Sequence, residues 1–177
     1  LTALSAITYA FVFWASGIAS VGDDWKLLAS LGRGATLLVL AFIDLRTGLL
    51  LDWLTLPLAC AGLIYAATGG LDWRDAALGA LIGYGLIAGL AFYWSKTRGY
   101  EGIGLGDAKL LAAGGAWVGA TLLPMVLLIA SGLGITFALT VSQKPRPEGD
   151  RMAIPFGPAL CFGIWCAWCL QDLALYL

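Results

Sequence analysis

Apolar residues fall in long runs along this chain, separated by short clusters of charge, Gly and Pro. A helix rises 1.5 Å per residue, so crossing the ~30 Å hydrocarbon core of a bilayer takes about 20 apolar residues. Thr2 to Val21 is a first such run, closed by Gly22-Asp23-Asp24-Trp25-Lys26. Leu27 to Leu45 is a second, with Arg33 near its start and Arg46-Thr47-Gly48 as its polar stop. Trp53 to Thr68 is a third, with Asp52 placed to cap it and Gly69-Gly70 to end it. A turn is expected at Asp72-Trp73-Arg74-Asp75, ahead of a fourth run from Ala76 to Trp94. The polar stretch Ser95 to Gly102 precedes a short fifth run, Asp107 to Gly119. Leu122 to Val141 is the sixth, and Pro155 to Leu177, after the polar loop Ser142 to Arg151, is the seventh. The pattern predicts an all-α polytopic membrane helix bundle of about seven transmembrane helices. Neither a repeat nor a low-complexity tract divides it, so residues 1–177 are expected to form a single transmembrane domain.

The fifth run is the weak member, because some 13 residues reach only about 20 Å. Positive charge decides how to read it. If it spans, the loops carrying Arg46, Lys96, Arg98, Lys144, Arg146 and Arg151 share one side, and Lys26 and Arg74 lie on the other. Lys and Arg concentrate in cytoplasmic loops. Spanning therefore gives a consistent topology, with the Arg46 side cytoplasmic. Glycines recur in the fourth and fifth runs, and Gly79-x-x-x-Gly83 has the small-xxx-small spacing that lets helix backbones approach closely.

Composition narrows the class further. Sixty per cent of residues are hydrophobic and 12% are charged, and mean hydropathy is +0.88. Soluble domains carry about 25% charged residues. Ten Lys+Arg against eleven Asp+Glu leave no basic excess for nucleic acid. The implied partner is the lipid bilayer. The chain has no His, which excludes Ser-His-Asp and rhomboid-type Ser-His sites. Cys166-x-x-Cys169 offers two of the four ligands zinc wants, so no metal site is expected.

Acids beside the apolar runs are few. Asp44 closes the run Leu37 to Ile43, and carboxylates at such depth are rare and usually functional. The plainer alternative sets it at the headgroup level, paired with Arg46 or Lys109. Asp107 follows Gly104-Leu105-Gly106 and opens the fifth run; its plainer alternative is an N-cap after a glycine turn. The predicted topology puts both at the cytoplasmic ends of their helices, although 63 residues separate them. Two carboxylates within hydrogen-bonding distance cannot both ionise cheaply, so one keeps a proton while the other acts as base. Such a dyad can activate a water, protonate a carbonyl oxygen and release an amine without a covalent intermediate. The glycines before Asp107 would let another backbone come close. Asp23, Asp24, Asp72 and Asp75 read as solvated loop acids.

Three segments carry a resemblance. Asp44-Leu-Arg-Thr-Gly-Leu-Leu-Leu-Asp52-Trp-Leu-Thr-Leu-Pro57 resembles the first signature of type IV prepilin peptidases. Glu101-Gly-Ile-Gly-Leu-Gly-Asp107-Ala-Lys109-Leu-Leu resembles the second, GxGD, and Ile154-Pro155-Phe156-Gly157-Pro158 the third. Three signatures in order are far more specific than GxGD alone. The resemblance implies catalytic Asp44 and Asp107, with Gly104, Gly106 and Lys109 in support. It implies cleavage of prepilin or pseudopilin leaders at the cytoplasmic face of the bacterial inner membrane, with no cofactor for the peptidase step. Leu51-Asp52 departs from the usual Pro-Asp. Long-form members also N-methylate the new N-terminus with S-adenosylmethionine, through a soluble domain with a tetracysteine zinc site. That signature is not among these 177 residues. The chain is then either a fragment of a bifunctional enzyme or a short, peptidase-only form; Leu1 in place of Met, and Leu1-Thr2-Ala3-Leu4, which is similar to the stretch after that domain, favour the fragment. A presenilin or signal-peptide-peptidase type of protease is the alternative, but Tyr-Asp and Pro-Ala-Leu do not occur. A transporter would gather its ionisable groups near the midplane rather than at one interface.

Overall fold

A computed structural model describes residues 24–98, 104–142 and 156–175. The first apolar run, Thr2 to Val21, and the basic loop with Lys144, Arg146 and Arg151 lie outside the described residues. So do Glu101 and Ile154-Pro155. Among the described residues there is no strand. Six helices follow one another: α1 (Asp24–Thr47), α2 (Asp52–Tyr65), α3 (Trp73–Arg98), α4 (Leu105–Val118), α5 (Leu123–Ser142) and α6 (Gly157–Leu175). The all-α membrane architecture expected from the sequence holds. Leu28–Thr47, Asp52–Gly70 and Trp73–Thr97 are long and apolar enough to cross a bilayer, and Leu123–Leu139 and Gly157–Gln171 are shorter apolar helices. The chain is a multi-pass membrane protein.

Boundaries moved where polar residues sit at helix ends. Asp72 to Asp75 is not a free turn: α3 begins at Trp73, and Asp72 Oδ1 accepts the Arg74 N–H at 3.0 Å. At its other end α3 runs on through Ser95-Lys96-Thr97 to Arg98. Charged residues are no obstacle where a helix leaves the apolar layer, because water and headgroups solvate them. Asp52 is not a cap either. Leu51 holds the cap position of α2 with no side-chain cap bond, and Asp52 is the first helical residue. The expected stop at Gly69-Gly70 is real: α2 widens into a π turn over Ala66–Gly70 and breaks at Gly69, whose φ of 89° suits a residue without Cβ.

Contacts between ends fix the topology. The last turn of α1 meets the first turn of α6, and the first turns of α2 and α4 meet each other. At the opposite end the first turn of α3 meets the end of α4, where Asp75 accepts the Ala120 N–H at 3.2 Å. The helices therefore alternate in direction.

The short fifth run becomes α4, whose length raised the doubt about spanning. The helix is buried on nearly every side: Ala108, Leu110, Leu111 and all of Ala113 to Val118 are enclosed. Apolar residues all round mark a helix surrounded by others. With protein rather than lipid around it, α4 need not match the hydrocarbon thickness. It still reaches from one end of the bundle to the other.

Near the far end, Tyr65, Trp117 and Trp168 form a ring cluster with centroids 5.2–5.7 Å apart. The buried Arg33 guanidinium lies 3.5 Å from the Trp168 ring centroid and 5.1 Å from that of Trp117, a cation–π arrangement that stabilises charge at depth. The Trp117 indole N–H donates to the Leu58 carbonyl at 2.8 Å.

Candidate active site

Asp44 belongs to the last turn of α1. Gly48 ends that helix in the left-handed region (φ 63°), and its N–H donates to the Asp44 carbonyl at 2.8 Å. The backbone stop thus sets how far the Asp44 carboxylate stands from the helix end. Its side chain is 5% exposed. Neither plainer partner takes it. Arg46 sits over the Phe42 ring, 4.8 Å from its centroid, and Lys109 is bound elsewhere. Asp44 Oδ2 instead accepts the backbone N–H of Gly157 at 3.1 Å.

Asp107 stands in the first turn of α4. Gly104, in an extended conformation, holds the cap position, so the N-cap alternative for Asp107 fails. An acid there also gains from the positive end of the helix dipole. The Asp107 N–H closes the turn onto the Gly104 carbonyl at 3.2 Å. The carboxylates of Asp44 and Asp107 come close enough to interact electrostatically. The buried Cys161, one turn into α6, lies in the field of both. The structure therefore brings together the two acids that the sequence singles out.

The supporting residues divide. A Cβ on Gly106 would lie 2.9 Å from Leu50 Cβ, so this glycine admits the chain's own loop rather than another backbone. Gly104 meets open space. Lys109 donates to both oxygens of Asp52, at 2.7 and 2.6 Å, tying the first turn of α4 to that of α2. It sits two residues beyond Asp107, and its ammonium is taken by Asp52. Gly157 is the residue that sequence reasoning missed. It stands inside the third quoted segment, but nothing in that segment reveals that its N–H would meet an acid 113 residues earlier.

Around the acids, Leu49, Leu51 and Leu105 are exposed, and Trp53 is 87% exposed. An apolar cleft of about 460 Å³ opens beside them between α1, α5 and α6, lined by Leu45, Leu133, Phe137, Pro158 and Phe162 among others. Leu45 and Pro158 directly follow Asp44 and Gly157. Two carboxylates in mutual range, without a His or an activated hydroxyl, suit general acid–base attack by water.

A model of the type IV leader peptidase family matches residues 33–139, more than half of the chain. Among the curated relatives, a prepilin leader peptidase/N-methyltransferase of Escherichia coli (strain K12) is 47% identical over 129 residues, 71% of this chain and 56% of its own. Proteins of the same name from Burkholderia pseudomallei (strain 1026b) and Aeromonas salmonicida (strain A449) are 41% and 39% identical. The first match covers 84% of this chain and 48% of the relative, the second 94% and 55%. The chain spans about half the length of these curated relatives. No solved structure matches it.

Proposed function

The chain belongs to the type IV leader peptidase family, and from that premise we propose that it is a membrane aspartic endopeptidase. It cuts the leader peptides of type IV prepilins or pseudopilins at the cytoplasmic face of the bacterial inner membrane. Residues 1–177 form its peptidase domain. The observation that carries the reading is the convergence of Asp44 and Asp107, from the last turn of α1 and the first turn of α4, within each other's electrostatic reach.

In the mechanism the two acids share one proton. The ionised carboxylate takes a proton from a water as that water attacks the scissile carbonyl carbon. The protonated carboxyl gives its proton to the carbonyl oxygen, forming a neutral tetrahedral intermediate. Collapse of the intermediate breaks the C–N bond. The amine leaves with the proton first taken from water, and the hydroxyl proton returns to the dyad. No covalent enzyme intermediate forms and no cofactor takes part. Methyl transfer from S-adenosylmethionine, which the relatives' name includes, is not work for these two acids. We assign it, with the zinc site, to a soluble domain distinct from the helices described here.

The test is incubation of the membrane-inserted protein with a synthetic prepilin leader peptide, with the products weighed by mass spectrometry. Asp44→Asn and Asp107→Asn are each expected to abolish the cut, by at least ~10³-fold, while the protein still inserts. Cleavage at the wild-type rate by either variant sinks the dyad.

A further inference from the structure

Gly157 is the first residue of α6, and the first N–H groups of a helix have no partner inside it. Here that N–H is buried and finds Asp44 Oδ2 at 3.1 Å. The approach depends on the missing side chain. A Cβ at position 157 would stand 2.6 Å from Oδ2 and 2.9 Å from Cγ of Asp44, closer than real contacts allow. The helix start is held from behind as well. The Phe156 ring packs onto α5 where Gly134 has no side chain; a Cβ there would be 3.2 Å from Cε2. The Phe156 carbonyl accepts the Leu160 N–H at 3.1 Å and so anchors the first turn of α6. The donor is therefore fixed before the carboxylate meets it.

We infer that Gly157 is a positioning residue for the Asp44 carboxylate: its backbone N–H fixes the orientation of that group, and its lack of a Cβ leaves room for it. The inference rests on the proposed role of Asp44 and adds a function for the third sequence segment. A backbone donor held by a helix cannot rotate away, unlike a side-chain donor. One oxygen of Asp44 is thus committed to the protein, which leaves the other for the attacking water. Gly157→Ala forces the carboxylate to swing out of this contact without replacing any residue that lines the apolar cleft.

Two measurements test this on the full chain in membranes or detergent. In steady-state cleavage of the synthetic leader peptide, Gly157→Ala is expected to lower kcat by about 10²-fold with KM changed less than about twofold, as for a reacting group misplaced by an ångström. A kcat within about twofold of wild type, or a loss confined to KM, overturns the inference. In amide hydrogen exchange, Asp44→Ala is expected to speed exchange at Gly157 by at least ~10-fold while Leu160, bonded to Phe156, stays protected. Unchanged exchange at Gly157 overturns the contact itself, and this readout stands even if Gly157→Ala does not accumulate. Asp44→Asn in the same cleavage assay separates the two levels. Retained activity there removes the dyad; lost activity beside a fully active Gly157→Ala removes only the role of Gly157.

Discussion

The acids of the site were readable one residue at a time, because a carboxylate at the edge of an apolar run costs free energy that needs a reason. Their partners were not. Asp52 and Lys109 are 57 residues apart, and the sequence offered Asp52 a local job as a cap and offered Lys109 the wrong acid, Asp44. The observed pair is 50% and 32% exposed, and ion pairs that wet are worth only about 0–1 kcal/mol. Its value is geometric, since it joins the first turns of α2 and α4 two residues from Asp107. Lys109→Ala should therefore leave thermal stability within about 1 kcal/mol of wild type yet lower cleavage of the leader peptide by about 10-fold. Lys109→Asp should do worse, because it sets two carboxylates together. Asp52→Lys combined with Lys109→Asp should recover most of the activity. A double variant no better than the worse single one would show that the pair does not act through its ionic contact.

Among the elements, helix existence followed from hydrophobic run length, and the glycines hinted at close packing without saying which of them packed. The interface of α3 with α4 is the most extensive in the bundle. Gly79 lies against the backbone of Gly115, and a Cβ on Gly83 would stand 2.6 Å from the Leu111 carbonyl oxygen. Gly85 and Gly89, on the same helix, face open space. The spacing Gly79-x-x-x-Gly83 was a true signal because both lie on one helical face. Gly85 and Gly89 have the same spacing on another face, and no sequence pattern separates the two pairs. At Gly119 a further constraint was invisible: its φ is 79°, and the carboxylate of Asp75 fills the space a Cβ would need. Gly83→Ala pushes a methyl group into backbone that cannot rotate away, so it should destabilise by about 1–3 kcal/mol. Gly85→Ala should be neutral or stabilising by up to about 1 kcal/mol, through helix propensity. Thermal unfolding of the two variants in one detergent gives the contrast, and equal melting temperatures would refute this account of the crossing.

For the whole molecule, the alternation of helix directions was legible only through charge, because run lengths left α4 ambiguous. Its burial supports a crossing: a helix enclosed by other helices can be short and still join both ends of the bundle. Asp44, Lys96 and Asp107 then lie at one end, and Asp72, Arg74 and Thr121 at the other. Lys and Arg concentrate on the cytoplasmic side of short loops, so on the proposed reading the acids should face the cytoplasm, where the leader is still joined to its prepilin. Exposed Lys96, Asp72 and Thr121 make this measurable. In intact cells, a membrane-impermeant maleimide should label Asp72→Cys and Thr121→Cys above the background of the native cysteines, and should reach Lys96→Cys only after the membrane is opened. Thr121 is the decisive position because it follows α4 directly. Labelling of Thr121→Cys together with Lys96→Cys would mean that α4 turns back without crossing. Labelling of Lys96→Cys alone from outside would invert the protein and put the two acids on the side where no cytoplasmic leader could reach them.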